Sequence, residues 1–143
     1  MIYLDTSAAI PLFVAEPASD AVDAWFESCD EPLISSDWIL TEFAIALSIK
    51  ERRGEIGQKQ AQTAWKEFES FCGSGLRLVP VSRQGFVHAA RLARNARNAR
   101  SGLRSGDSLH LSMALELGAV GIATADANLA KNARSLGLAV NRF

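Results

Sequence analysis

Short apolar segments alternate with amphipathic helical segments along this chain, and the alternation restricts the fold more than any other feature. Strands separated by helices predict a parallel sheet covered by helices on both faces. The predicted strands are Ile2–Leu4, Leu33–Ser35, Leu76–Val81, Ala119–Thr124 and Leu138–Val140. The predicted helices are Thr6 or Ser7 to Phe13, Pro17–Cys29, Asp37–Arg53, Gln58–Phe71, Phe86–Arg100, Asp107–Leu117 and Asn128–Leu136.

The length and composition favour one globular domain over residues 1–143. Hydrophobic residues make up 48% of the 143 positions, which argues against disorder. The two cysteines, Cys29 and Cys72, lack metal-ligand or disulfide-framework spacing and suit a reducing compartment. The apolar start carries no basic segment and is interrupted by Asp5, and no apolar run reaches the ~18 residues of a membrane span. We therefore expect a soluble, cytoplasmic protein without a membrane segment.

Two carboxylates follow predicted strands directly, Asp5 after the first and Asp126 after the fourth. The carboxyl ends of parallel strands share one edge of the sheet, which is where such folds bind ligands. The topology therefore brings Asp5 and Asp126 to the same edge. Each also has a local interpretation: Asp5 could be a turn residue, and Asp126 could cap the following helix.

Two further acids, Glu42 and Asp107, lie in mostly apolar helical segments. A buried carboxylate is costly unless it is paired or bound to a metal, and oxygen ligands suit Mg²⁺ or Mn²⁺. Without a cation, four close carboxylates would repel one another. Asp107 could alternatively be favoured only by the dipole at a helix start.

Four segments in this order resemble those of PIN domains, in particular VapC-type toxins of toxin–antitoxin pairs. They are MIYLDTSA at 1–8, SDWILTEF at 36–43, LRSGDSLHL at 103–111 and TADANLA at 124–130. The resemblance spans the whole chain. It implies a three-layer α/β/α sandwich with a central, mostly parallel sheet of about five strands, and Mg²⁺- or Mn²⁺-dependent cleavage of RNA.

The resemblance also implies roles for individual residues. Asp5, Glu42, Asp107 and Asp126 would form the catalytic, metal-binding site, with Asp5 and Asp107 as the most direct ligands. Thr6 and Ser7 would orient Asp5, and Thr124 would orient Asp126. The reaction would be in-line attack of water on an RNA phosphodiester, with the 3′ oxygen leaving.

Residues outside the four motifs suggest contacts with partners. Six arginines and no acid occupy residues 83–104, and the last two, Arg100 and Arg104, lead into Asp107 and could contact RNA phosphates. His110, three residues after Asp107, could touch RNA or form hydrogen bonds in the core, and we favour the core. The resemblance implies a VapB-like antitoxin seated on the helices of residues 10–29 and 37–53, and a homodimer.

Three functions remain open at this point. The first is a toxin endoribonuclease that hydrolyses RNA and is inhibited by its antitoxin. The second is a housekeeping PIN nuclease, acting in RNA processing or on DNA. The third is a non-catalytic PIN-like binding module, although the presence of all four acids argues against it.

Overall fold

A computed structural model describes residues 1–95 and 102–143 of the chain. Its five strands form one sheet in the order β3-β2-β1-β4-β5, and every neighbouring pair is parallel. The strands are β1 (Ile2–Leu4), β2 (Leu33–Ser36), β3 (Leu76–Val79), β4 (Gly121–Thr124) and β5 (Ala139–Arg142). The predicted parallel sheet of five strands is confirmed.

Helices connect these strands and cover both faces of the sheet. Within the described ranges they are α1 (Thr6–Ala9), a 3₁₀ turn (Ile10–Leu12), α2 (Ser19–Ser28), α3 (Trp38–Arg52), α4 (Gln58–Ser74), α5 (Arg83–Arg94), α6 (Ser105–Glu116) and α7 (Ala127–Ser135). None of these helices is long and apolar enough to cross a membrane.

Two hydrophobic clusters lie on opposite faces of the sheet, as alternation along β1 requires. Ile2 and Leu4 pack with α1, α3 and α4, where the rings of Phe43 and Phe68 stack with centroids 3.8 Å apart. Tyr3 points to the other face and packs with residues of α5, α6 and α7. The result is the expected three-layer sandwich.

The element boundaries differ from the predicted ones where local chemistry intervenes. The first helix was expected to reach Phe13, but it ends at Ala9 and continues as a 3₁₀ turn containing Pro11. β3 ends at Val79 because Pro80 has no backbone N–H for the ladder. α5 begins at Arg83, earlier than predicted, because the Ser82 hydroxyl caps it by accepting from the backbone N–H of Gly85.

Candidate active site

The strand order places a crevice between β1 and β4. The chain proceeds from β1 towards β2 and β3 on one side of the sheet, and it adds β4 and β5 on the other. Ligands of such sheets bind at this reversal, beyond the carboxyl ends of the strands. Asp5 follows β1, and Asp126 follows β4 after one residue. Both line one groove with Glu42 of α3 and Asp107 of α6.

Asp5 is buried at 5% exposure and is held by several donors. Its Oδ2 atom accepts hydrogen bonds from the backbone N–H of Ser7 at 3.2 Å and the hydroxyl of Thr124 at 2.8 Å, and it also contacts the Ser7 hydroxyl closely. The bond from the Ser7 backbone makes Asp5 the cap of α1. Asp5 thus caps a helix rather than forming a turn, and this cap leaves Oδ1 facing the neighbouring side chains.

Glu42 reaches the same place from α3 and forms two short polar contacts. Its Oε2 atom accepts from the Thr6 hydroxyl at 2.5 Å and lies 2.6 Å from Nε2 of His110. Burial raises the pKa of Glu42, but the hydrogen bond and charge of His110 and the bond from Thr6 outweigh it and lower the pKa to about 2. Glu42 is therefore ionised at neutral pH.

His110 is a core residue at 1% exposure, so the core position that we favoured is confirmed. Its Nε2 atom also lies 3.3 Å from Oδ1 of Asp5, and its Nδ1 atom lies 3.0 Å from the Tyr3 hydroxyl. Burial lowers the pKa of His110, but Tyr3, Asp5 and Glu42 raise it well above its usual value. These contacts with the acids were not predicted from the sequence. The available signal was the three-residue spacing from Asp107, which puts both side chains on one side of α6.

Asp107 and Asp126 are joined by Arg104 rather than by the histidine. The guanidinium of Arg104 lies 2.6 Å from Oδ2 of Asp126 and 3.3 Å from Oδ2 of Asp107. Asp107 also accepts from the backbone N–H of Arg104 at 3.0 Å, and Oδ1 of Asp126 accepts from the backbone N–H groups of Asn128 and Leu129 in the first turn of α7. The helix-terminus interpretations hold for both acids, and each also directs an oxygen to Arg104.

The four predicted acids thus form two groups along one groove. The inner cluster consists of Asp5, Glu42 and His110, whose ligand-type atoms all lie within 4.8 Å of one another. The outer pair consists of Asp107 and Asp126, bridged by Arg104. Arg104 is therefore at the site, whereas Arg100, the other arginine expected there, lies outside the described residues.

The contacts of the three predicted orienting hydroxyls differ in part from those expected. The Ser7 hydroxyl contacts Oδ2 of Asp5, its expected partner. Thr6 donates to Glu42 instead of Asp5, because it lies in the first turn of α1, against α3. The Thr124 hydroxyl donates to Asp5, and it touches Asp126 only by accepting from its backbone N–H at 3.0 Å.

The donor set suits a divalent cation. Carboxylate oxygens from four segments face the groove, and they are the ligands that Mg²⁺ and Mn²⁺ prefer. Gly106 leaves room for the Glu42 side chain there, since a Cβ atom at this position would collide with Oε1 of Glu42. The residues present therefore fit a metal-binding role.

The groove continues beyond the acids along α3 as an apolar surface. Ile45 is 53% exposed, and Ala46 and Ile49 line the same groove. Lys50, which forms ion pairs with Glu16 and Glu55, borders it. A charged crevice with an exposed apolar flank is the kind of surface that takes a partner chain.

Comparisons with known proteins agree on one family. A family model described as PIN domain matches residues 2–135. Ribonuclease VapC45 of Mycobacterium tuberculosis (strain CDC 1551 / Oshkosh) is 30% identical over 125 residues, which cover 87% of this chain and 82% of that protein. The structure of VapC20 from M. tuberculosis, described as a Sarcin-Ricin loop cleaving toxin, has a TM-score of 0.71 at 17% identity and covers 97% of both chains. VapBC2 from Rickettsia felis, bound to a DNA fragment from its promoter, has a TM-score of 0.67 at 18% identity and covers 100% of this chain and 99% of that chain.

Proposed function

The chain belongs to the PIN-domain family, among the VapC ribonucleases, and from this premise we propose that it is an endoribonuclease that acts as the toxin of a toxin–antitoxin pair. The observation that carries the proposal is the convergence of four acids from four separate segments at the reversal point of the sheet. We also propose Mg²⁺ or Mn²⁺ as the cofactor and the cytoplasm as the place of action.

The four acids take different roles in this proposal. Asp5, Asp107 and Asp126 would hold the metal, and Glu42 would bind the metal or its water. Asp5 suits a ligand because Ser7 and Thr124 fix one of its oxygens and leave the other directed inward. When bound, the metal supplies charge that polarises a phosphate and favours hydroxide over water.

The chain's own residues orient the reactants. The ionised carboxylate of Glu42 can accept a hydrogen bond from the attacking water and aim its oxygen at phosphorus. The water oxygen bonds to phosphorus, the bond to the 3′ oxygen breaks, and the water's protons end on the 3′ hydroxyl and in solvent. Arg104, which is 69% exposed beside Asp107 and Asp126, is placed to pair with an RNA phosphate.

A VapB-like antitoxin is the proposed inhibitory partner. The groove offers an antitoxin segment two kinds of contact, the apolar flank at Ile45 and Ile49 and the acids beside it. A basic side chain of the antitoxin could pair with those acids while its apolar side chains cover α3. We propose a homodimer as well, on the family resemblance.

The test compares cleavage of single-stranded RNA and single-stranded DNA by the purified chain in Mn²⁺. We expect RNA cleavage by the wild type, and loss of it in Asp107→Asn. Asp23→Asn, a matched change at an exposed position of α2, should cleave like the wild type. In cells, overexpression should stop growth for the wild type and Asp23→Asn but not for Asp107→Asn. Equal toxicity of wild type and Asp107→Asn, or cleavage of DNA alone, would overturn the proposal.

A further inference from the structure

One face of α5 carries positive charge and apolar surface that the proposed reaction does not use. Arg83, Arg91 and Arg94 are exposed along this helix, and Phe86 and Val87 are 51% and 37% exposed. No acidic residue occurs in α5. Among the residues that the structure describes, no carboxylate forms an ion pair with these three guanidinium groups. These five exposed residues are called the α5 face below.

Helical spacing places the five side chains on one side of α5. With 3.6 residues per turn, Val87 and Arg94 lie within about 40° of Arg83 around the helix. Arg91 lies about 80° to one side of Arg83, and Phe86 lies about 60° to the other side. A rise of about 1.5 Å per residue spreads the three arginines over roughly 16 Å along the helix. The α5 face is therefore a basic strip with an aromatic ring beside the charges.

The opposite side of α5 packs against α6, and the two helices are antiparallel. Gly85, at the start of α5, lies against Met113 and Glu116 at the end of α6, and its carbonyl accepts from the Ser112 hydroxyl at 2.9 Å. Glu116 is therefore on the packed side of α5, away from the arginines. Because the two helices pack side by side, the end of α5 lies towards the start of α6, where Arg104 bridges the outer pair of acids. The α5 face thus leads towards the groove.

The charge of the α5 face favours a polyanion over a second copy of the chain. In a symmetric dimer the same patch meets itself, so arginines would face arginines with no acid on the face to offset them. The whole chain has a net charge of −1, so attraction for a polyanion is confined to local patches such as this one. A single strand of RNA offers phosphates to the guanidinium groups and bases to the ring of Phe86.

Resting on the proposed ribonuclease function, we propose that the α5 face binds the part of a single-stranded RNA substrate that extends beyond the groove. The three arginines pair with phosphates, and a base stacks on Phe86. The reaction itself takes place in the groove. The α5 face therefore contributes to the affinity for long RNA and leaves the chemical step unchanged.

The first test measures binding of a single-stranded RNA of about 25 nucleotides to the full chain without metal, by fluorescence anisotropy. The triple variant Arg83→Gln, Arg91→Gln and Arg94→Gln should bind about tenfold more weakly than wild type at about 50 mM salt. The slope of log affinity against log salt concentration should fall by about 2, because each phosphate contact on a single strand contributes about 0.7. Affinity and slope equal to those of wild type would overturn the proposal.

The matched control removes the same charge from the other side of the sheet. Arg52, Lys59 and Lys66 are exposed on α3 and α4, and changing all three to Gln should leave RNA binding as in wild type. An equal loss of affinity in this control would mean that only net charge matters, and it would overturn the proposal. Phe86→Ala should weaken binding roughly fivefold, and Phe86→Tyr, which keeps a ring, should bind like wild type. Equal affinities of these two variants would exclude stacking on this ring.

The second test compares cleavage of RNA of about 25 and about 5 nucleotides in Mn²⁺. For the arginine triple variant we expect a higher KM for the long RNA at unchanged kcat, and an unchanged KM for the short RNA, which does not reach the α5 face. A lower kcat at unchanged KM would overturn the proposal. Light scattering should give the triple variant the same mass as wild type. A dimer that becomes a monomer in this variant would assign the face to a second copy instead.

These outcomes separate this proposal from the proposed function. RNA binding that depends on the three arginines, without any RNA cleavage by wild type, would leave the α5 face as an RNA site and defeat the ribonuclease. Cleavage of long RNA by the triple variant with the KM of wild type would do the reverse.

Discussion

Thr124 links the two strands that flank the crevice through a single buried hydroxyl. It lies at the end of β4 at 0% exposure. The hydroxyl donates to Oδ2 of Asp5 at 2.8 Å and accepts from the backbone N–H of Asp126 at 3.0 Å. Thr124→Val keeps the shape of the side chain and removes these two hydrogen bonds, together with the 3.1 Å contact to the Ser7 hydroxyl, so its effect measures what the hydroxyl contributes.

The expected loss of stability follows from these two bonds. A hydrogen bond to a charged group contributes about 1.5–3 kcal/mol, and a backbone N–H left without a partner costs about 1–3 kcal/mol. Asp5 keeps its hydrogen bonds from Ser7, and the Asp126 N–H is only partly buried. Both free-energy costs therefore fall at the low end of these ranges. We expect a loss of about 2–3 kcal/mol. With an unfolding entropy of about 2.1 cal/mol/K per residue over 143 residues, Tm falls by about 7–10 °C.

Urea unfolding and thermal melting of Thr124→Val and Thr124→Ser provide the assay. Serine keeps the hydroxyl and loses one buried methyl group, so it should cost about 1 kcal/mol. Mn²⁺ affinity should fall about 10- to 100-fold in the valine variant, because Asp5 loses a group that orients it, and should change little in the serine variant. A valine variant as stable as the serine variant, with equal Mn²⁺ affinity, would refute the reasoning.

Three further predictions concern the other groups of the site. Gly106→Ala directs a methyl group at Oε1 of Glu42, and the Glu42 side chain can move aside. We expect the free energy of unfolding to stay within about 1 kcal/mol of wild type, but RNA cleavage to fall roughly tenfold or more because Glu42 is displaced. Undiminished cleavage would contradict the assigned role of Glu42. Because the pKa of Glu42 is lowered from 4.5 to about 2, its charge stabilises the fold above pH 4.5, and this contribution is lost as pH falls towards 2. In urea unfolding, the free energy of unfolding of Glu42→Gln should therefore be lower than that of wild type by on the order of 3 kcal/mol at pH 7, and by less near pH 3. A difference that does not change with pH would contradict the lowered pKa of Glu42. Arg104→Gln should change the free energy of unfolding by less than about 1 kcal/mol, because the ion pairs of Arg104 are exposed. In a filter-binding assay, the variant should bind RNA more weakly and with a smaller dependence on salt. Unchanged RNA affinity would exclude a contact between Arg104 and RNA.

Much of the fold was predictable because its causes are local. The predicted strands Ile2–Leu4 and Leu33–Ser35 and the helical spacing of apolar residues in α4 depend only on neighbouring residues. The parallel sheet followed from their alternation, and the place of Asp5 and Asp126 followed from the sheet. Boundaries were less accurate because a cap such as Ser82 or an interruption such as Pro11 depends on backbone geometry over one turn.

The pairing of side chains within the site was not predictable from the chain alone. Thr6 is adjacent to Asp5 in sequence, yet its hydroxyl donates to Glu42, 36 positions away. The sequence around His110 predicts an ordinary core residue in an apolar helix. In the structure, its Nε2 atom lies between the carboxylates of Asp5 and Glu42, which belong to segments far away in the sequence. The sequence alone therefore determined that Asp5 and Asp126 follow strands at one edge of the sheet, because strand ends are local, whereas Glu42 and Asp107 were assigned to the site only by the family resemblance. Only the tertiary structure decided their hydrogen-bond partners and charges, because distances of a few ångströms between distant segments set both.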